Sequence, residues 1–374
     1  MRKIFAISIL MSTIVGVGMF ALPYAGAQSG FLIAAAFLII LTGIMTLLHL
    51  LYGEIVARTK KKHRLIGYTK QYLGKKWGRA ISVFVFIGFY GSLLVYIIVG
   101  GGFLQNVLSF INVSPVVFNL IFFSIGAIAI YFGLKLIAEL DFFISIFLIV
   151  IVFLIFFFGF SNIDVVNFKN INLKNLIFPY GAILYALSGV SAIPEIKEIL
   201  GKSNKVYKRT IVLGTLIPAV LYLLFMYTVI GLTGANTSKE AFNGLIGVLG
   251  DKVVFWGSLF GFLACITSFF ITGLSLKKTF WYDFKINKNL SWLLACAIPL
   301  ILFAFGFNNF ISIIIILGAL LGAIQGSAIV MVYNKVKQKG RKALDYDMKV
   351  PGILKYAVIL VFVIGFIYTL VSII

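Results

Sequence analysis

Charge is what this sequence has least of. Only 11% of its 374 residues are Asp, Glu, Lys or Arg, against about 25% in soluble domains, so the chain lacks the polar side chains that a water-facing surface needs. An ordinary soluble protein is excluded. Cysteine is nearly absent, and Cys265 and Cys296 both fall inside apolar runs. A disulfide framework and a zinc site are thereby excluded, and the two are read as small buried hydrophobes. Acidic residues and histidines are also few, with 11 Asp and Glu and 2 His. A membrane enzyme would need a cluster of them at one depth, whereas Glu54, His49 and Glu195 stand isolated. No glycine-rich phosphate loop ending in Lys-Ser or Lys-Thr occurs, which argues against ATP-driven work by this chain. No charged ring or filter motif marks a channel. The longest polar stretch, 58–79, is too short for a soluble domain, although its middle (66–74) can form a short interfacial amphipathic helix.

What is present is apolar length. The composition is 61% hydrophobic and 16% aromatic, with a mean hydropathy of +1.10. Backbone in hydrocarbon must satisfy its own polar groups, as helices or as a closed barrel. Runs such as Phe142 to Phe160 are apolar on every face rather than alternating, so the fold class is all-α polytopic membrane protein. A span needs about 20 apolar residues. Eleven are read, near 5–27, 31–57, 80–109, 115–134, 142–160, 176–200, 210–233, 253–276, 291–307, 310–333 and 353–374. The first follows two basic residues as a secretory signal would, but it is too long for one and continues into a second span, so it is counted as a helix.

The net charge of +21 then finds its place. The N-terminus and the alternate inter-span segments hold 28 of the 32 Lys and Arg, and the intervening segments hold only Lys169, Lys174, Lys239 and Lys252. By the positive-inside rule the N-terminus is cytoplasmic and, after an odd number of spans, the C-terminus is outside. The expectation is a multi-pass cell-membrane protein whose basic charge meets lipid and no nucleic acid.

Two spans carry matching interruptions. Span one reads STIVGVGMFALPYAG with Gly16 and Gly18 at its middle, and span six reads YGAILYALSGVSAIPEIKEIL with Ser188 and Gly189 at its middle. In each, a glycine precedes a proline by five residues, Gly18 to Pro23 and Gly189 to Pro194. Such breaks survive in lipid only where they line a cavity or are buried in protein. Lying five spans apart, they predict two inverted five-helix repeats. The expected organisation is one transmembrane domain over 1–374, with repeat one at about 5–160, repeat two at about 176–333 and an extra helix at about 353–374.

A broken helix offers free N–H groups and positive potential at one half-end, and free carbonyls at the other. The N–H groups of Gly16, Val17, Gly18 and Met19 are therefore candidates to bind a carboxylate. Carbonyls near Leu187 and Ser188, beside Gly189, are candidates for an ammonium group. Tyr96, near the middle of span three, is the best-placed pocket aromatic, with Tyr90, Gln105, Asn106 and Tyr185 as further candidates. Glu195, just after Pro194, is a candidate proton carrier or inner gate. Glu54 reads as an ion-pair partner and His49 as a packed, hydrogen-bonded histidine.

The segments IVGVGMFALPYAGAQSG, YGSLLVYIIVGGG, ALSGVSAIPEI and LACITSFFITGLSL, in spans one, three, six and eight, resemble the amino acid/auxin permease family and the related aromatic amino acid permeases of the amino acid–polyamine–organocation superfamily. The resemblance runs over nearly the whole chain. It implies the five-plus-five inverted-repeat fold with an eleventh helix, and secondary transport of a neutral amino acid, aromatic ones among the candidates, by cation symport without a cofactor. In sodium-coupled relatives of this fold a cation site lies between the first and eighth helices, and the matching positions are Ser12, Val15, Ala264, Thr267 and Ser268. Span five, as bounded above, has no lysine to stand in for a cation, which points to Na+. The Thr-Ser pair also fits permeases resembling proton symporters, so H+ stays open. An exchanger, or a carrier of another small amine or nucleobase, is the rival reading. The sequence says nothing of oligomeric state.

Overall fold

Long apolar runs become helices because a helix satisfies every backbone group within itself. The computed structural model describes all residues except Met1, Lys202, Asn308, 340–345 and Ile374. Three of the basic residues counted for orientation (Lys202, Arg341 and Lys342) and the end of span eleven lie outside the described residues.

The first span is split into α1a (Arg2–Ile14) and α1b (Gly18–Ser29), bent by 48°. α2 is Phe31–Arg58, followed by an interfacial helix at Leu65–Leu73, then α3 at Lys75–Val107 and α4 at Pro115–Phe132. α5 is Leu134–Gly159, and the sixth span is split into α6a (Phe178–Ala186) and α6b (Ala192–Leu200). α7 (Asn204–Thr233), α8 (Asp251–Lys278), α9 (Lys288–Ala304), α10 (Phe310–Lys339) and α11 (Gly352–Ile373) complete the set. By length and apolarity alone, seven described helices and the bent first pair qualify as spans. α9, at 17 residues, and the two nine-residue halves of the sixth span fall short of that measure.

Several helices outrun their apolar stretches. α3 begins at Lys75 rather than 80, and α5 at Leu134, which puts Lys135 in its first turn. Hydropathy marks where lipid ends, while the hydrogen-bond ladder continues until a residue such as Gly74 or Gly133 adopts a positive φ, of 97° and 96°. The interfacial helix buries Leu65 to Thr69 against the protein instead of lying flat on lipid. Prolines do not make the breaks: Pro194 sits in the first turn of α6b and Pro23 within α1b. The glycine-containing linkers interrupt the ladders instead.

Helix packing respects the exchange of one five-helix repeat for the other. α3 packs on α8 and α2 on α7; α1a packs on α5 as α6a does on α10; α3 packs on α10 as α8 does on α5. The outer helices present Ile39, Phe132, Phe157 and Ile353 outward, an apolar surface that lipid covers.

Candidate functional site

The two breaks meet. Gly18, at the start of α1b, lies against Ala186, at the end of α6a, so closely that an added Cβ would stand 2.7 Å from the Ala186 Cα. Only glycine permits that approach. Gly16 N–H donates to the Ile14 carbonyl at 2.8 Å and Met19 N–H to the Gly16 carbonyl at 3.1 Å. The amides of Val17 and Gly18 have no such partner among the described residues, and they sit where the α1b dipole is most positive. Across from them, the carbonyls of Ile14 and Ala186 both accept from the Tyr222 hydroxyl of α7, at 3.0 Å for Ala186.

A narrow cavity of about 60 Å³ opens beside this junction. Its lining includes Gly18, Tyr96 and Ser188 of the expected substrate residues, whereas Gly16, Val17, Met19, Leu187 and Gly189 lie behind it. Gly16 packs instead on Ser268 and Tyr96. Gly189 turns its N–H to His49 Nε2 at 3.1 Å, and Leu187 N–H is bonded to the Ile183 carbonyl at 2.9 Å. The lining also contains Thr13, Ser92, Tyr185, Thr272, Ser275 and Gln325. A signal for part of this was present along α8 and into the turn after it, where Ser268, Thr272 and Ser275 of α8 and Thr279 of that turn form a hydroxyl stripe at helical spacing. Among the described residues the buried Tyr185 hydroxyl has no hydrogen-bond partner. Tyr222 offered no sequence signal, being one of 17 tyrosines. Of the remaining candidates, Tyr90 donates to the Leu294 carbonyl at 3.3 Å and Asn106 to Ser258 at 3.2 Å, both away from the cavity.

Among the candidate cation residues, Ser268 donates its hydroxyl to the Ser12 carbonyl, joining α8 to α1a. Thr267 bonds back to its own helix, to the carbonyls of Leu263 at 3.1 Å and Ala264 at 3.2 Å. Ser12 Oγ donates to the Ile9 carbonyl at 3.2 Å and Val15 N–H to the Met11 carbonyl at 2.6 Å. The donor set is neutral, hard oxygen, which suits Na+ rather than a transition metal. Among the described residues no cluster of His, Cys, Asp and Glu could hold such a metal.

Towards the basic side the cavity ends at Arg64 and Pro194. Arg64 Nη2 bonds Glu195 at 2.6 Å and Glu198 at 3.0 Å, and Lys278 pairs with the other Glu195 oxygen. Burial works against the Arg64 charge, but Glu195 and Glu198 outweigh it and raise its pKa. Asp283, the last residue of the π turn that follows α8, accepts from Gly67 N–H at 2.8 Å and meets His63 at 3.0 Å, which pins the interfacial helix to this cluster. Glu54 belongs to a second network with Arg58 at 2.7 Å and Lys337 at 3.3 Å. Towards the other side, Phe20 packs on Phe103, Phe242 and Phe260 with ring centroids 4.7, 5.6 and 5.5 Å apart. Phe103 is seven residues beyond Tyr96 on α3, about 10 Å further along the helix. The cavity at the two helix breaks is thus bounded by ion pairs on one side and by packed rings on the other.

The sequence profile of the tryptophan/tyrosine permease family matches residues 2–372. The chain is 24% identical over 332 residues to glutamine transporter 2 of Aliivibrio fischeri, covering 85% of each. It is 28% identical over 288 residues to tyrosine-specific transport system 1 of Haemophilus influenzae, covering 72% of this chain and 70% of that one. Among solved structures, the nucleobase-cation-symport-1 family transporter Mhp1, closed with bromovinylhydantoin bound, superposes with a TM-score of 0.72 at 13% identity, over 99% of this chain and 90% of the other. MhsT in complex with L-phenylalanine gives 0.67 at 15% identity, over 98% of each. At these identities the two structures speak for the fold, which is the five-plus-five inverted-repeat transporter fold with broken first and sixth helices. The sequence matches point to an amino acid permease family, and not specifically to the amino acid/auxin permeases.

Proposed function

Since this chain belongs to the tryptophan/tyrosine permease family, and is thus a membrane transporter and not an enzyme, we propose that it carries a neutral amino acid by cation-coupled symport, with an aromatic one the first candidate. The observation that carries the reading is the junction at Gly18 and Ala186. Gly18, whose amide has no carbonyl partner among the described residues, lines the same cavity as Ser188, with the Val17 amide just behind it, so a carboxylate and an ammonium group find opposite potentials at one junction. The amides take the carboxylate, and the carbonyls of Leu187 and Ser188 take the ammonium group. The side chain extends toward Tyr96, Tyr185 and Ser92. The curated relatives are named for tyrosine and glutamine transport, both neutral.

Alternating access follows from the two seals. Opening the Phe20 cluster admits substrate from one side, and opening the Arg64–Glu195–Lys278 cluster releases it on the other. By the positive-inside rule the ion-paired side is cytoplasmic, so the N-terminus is inside, the C-terminus outside, and the chain belongs in the cell membrane. Glu195, held by two cations, serves this reading as a gate. Na+ would be held by the carbonyls of Ser12, Val15 and Ala264 with the hydroxyls of Thr267 and Ser268; H+ needs a titratable group elsewhere.

The test is uptake into liposomes of tritiated L-tyrosine and L-glutamine under an imposed Na+ or H+ gradient. Accumulation above equilibrium supports symport. Uptake indifferent to both gradients, or uptake of uracil in place of either amino acid, overturns it.

A further inference from the structure

His49, fully buried on α2, bridges the α6 break and α7. Its Nε2 accepts from Gly189 N–H at 3.1 Å in the α6 break, and its Nδ1 lies 3.0 Å from Thr215 Oγ1 on α7. A backbone amide can only donate, so Nε2 is the unprotonated nitrogen and Nδ1 carries the hydrogen. Thr215 passes its own hydrogen to the Ile211 carbonyl at 2.9 Å. Every polar atom of this relay is satisfied in one tautomer of the neutral ring.

We propose that His49 is the proton-binding residue of the transport cycle, neutral while it clamps the α6 break and protonated when that break moves. This rests on the symport reading and names its coupling ion. Protonation at Nε2 turns the acceptor for Gly189 N–H into a donor facing a donor, and places an unpaired charge in the buried interior of a membrane-spanning bundle. The ring and Gly189 must then part. Gly189 is wedged against α1a, since an added Cβ there would stand 2.7 Å from Leu10 and 2.9 Å from Ile14. Displacing the α6 break therefore displaces α1a, and the two half-helices that bound the substrate cavity respond to one imidazole. By linkage, a substrate that moves the break changes the affinity of His49 for a proton to the same degree.

The surroundings leave the proton to His49. Among the described residues the His49 ring makes no ion pair, its two polar contacts being Gly189 N–H and Thr215 Oγ1. On its own helix Glu54 is ion-paired with Arg58 and Lys337, and on α6 Glu195 is paired with Arg64 and Lys278. The remaining titratable groups nearest in sequence to its contacts are tyrosines, Tyr52 on α2, Tyr185 on α6a, and Tyr207 and Tyr222 on α7, which stay neutral at physiological pH.

The experiment uses the full chain and His49→Gln, whose carboxamide oxygen can still accept from Gly189 but which cannot carry the proton. Thr215→Val is a second variant. Counterflow of tritiated L-tyrosine and L-glutamine at equal pH is compared with accumulation driven by an acid-outside gradient. His49→Gln should keep counterflow and lose about tenfold or more of gradient-driven accumulation, a loss within the usual span of coupling free energies. Thr215→Val should shift the pH profile of counterflow without flattening it. Purified protein carrying isotope-labelled histidine gives a direct second readout, because the chain has only 2 His and His49→Gln assigns the signals. The substrate-free ring should be the neutral Nδ1–H tautomer. Wild-type-like accumulation by His49→Gln overturns the proposal, as does loss of its counterflow at unchanged thermal stability. Wild-type accumulation that follows Na+ and ignores pH overturns it while the symport reading stands. If wild type exchanges neither amino acid, the symport reading fails. The histidine spectrum then still decides, and a ring that stays neutral down to about pH 5 with substrate present overturns the assignment.

Discussion

The hydroxyl of Tyr222 lies 3.0 Å from the carbonyl oxygen of Ala186, and the same hydroxyl also reaches the carbonyl of Ile14. One side chain of α7 thus closes the C-terminal ends of both half-helices that precede a break. A buried carbonyl without a donor is costly, so this contact stabilises the broken conformation as well as joining the two repeats.

Tyr222→Phe removes the donor from both ends and leaves the ring in place. The expected loss is about 1–3 kcal/mol of stability, seen as a lower unfolding temperature in detergent. Substrate counterflow should fall with it. Unchanged stability and counterflow would show that the hydroxyl is not what holds the junction.

Gly18→Ala puts a methyl group 2.7 Å from the Ala186 Cα. That neighbour is backbone and cannot swing aside. Substrate-dependent thermal stabilisation and uptake should both be abolished. Gly43→Ala, where nothing lies within 4 Å of the added Cβ, should leave uptake intact and serves as the matched control.

Glu195→Gln leaves the Arg64 and Lys278 charges short of a partner in a buried cluster, a change of about 3–5 kcal/mol when one member of a buried pair is removed. The basic-side seal should loosen. A cysteine introduced at Thr279, which lines the cavity, should then react faster with a membrane-impermeant thiol reagent applied from that side. The native Cys265 and Cys296 are buried and give a low background. The pH profile of counterflow should keep its midpoint in this variant, since Glu195 gates and His49 carries the proton. A lost pH dependence would make Glu195 the carrier.

Phe20→Ala opens the opposite seal, because Phe20 touches Phe103, Phe242 and Phe260 at once. Loss of such a packed ring costs about 3–5 kcal/mol. The expected signature is faster labelling of a cavity cysteine from the far side with no gain from the basic side.

Thr267→Ala with Ser268→Ala removes the hydroxyls available to Na+ and also the Ser268 bond to the Ser12 carbonyl. If uptake is proton-driven, the double variant loses rate but keeps its response to the pH gradient. A raised half-saturating Na+ concentration would instead assign these hydroxyls to a sodium site.

Much of the architecture was legible because lipid imposes a simple rule. Runs of Leu, Ile, Val and Phe longer than a bilayer is thick must be helices, and Gly16, Gly18 and Gly189 mark where two of them fail. The alternation of Lys and Arg between segments adds an expected orientation. The sequence also picked out Gly18 and Ser188 because they stand at the two breaks, and Tyr96 from its place in span three; all three line the cavity.

Pairing was beyond it. His49, Thr215 and Gly189 are separated by up to 166 residues and nothing local in the chain links them. The same holds for Arg64 with Glu195, and for Tyr222 with the ends of α1a and α6a. Hydropathy depends on each residue and its near neighbours, so the sequence alone determined a helical membrane protein with two interrupted spans. Hydrogen bonds and ion pairs in the interior depend on which helix faces which. Only the tertiary structure decided which amides stay free, which carboxylates are neutralised, and which histidine stands at the break.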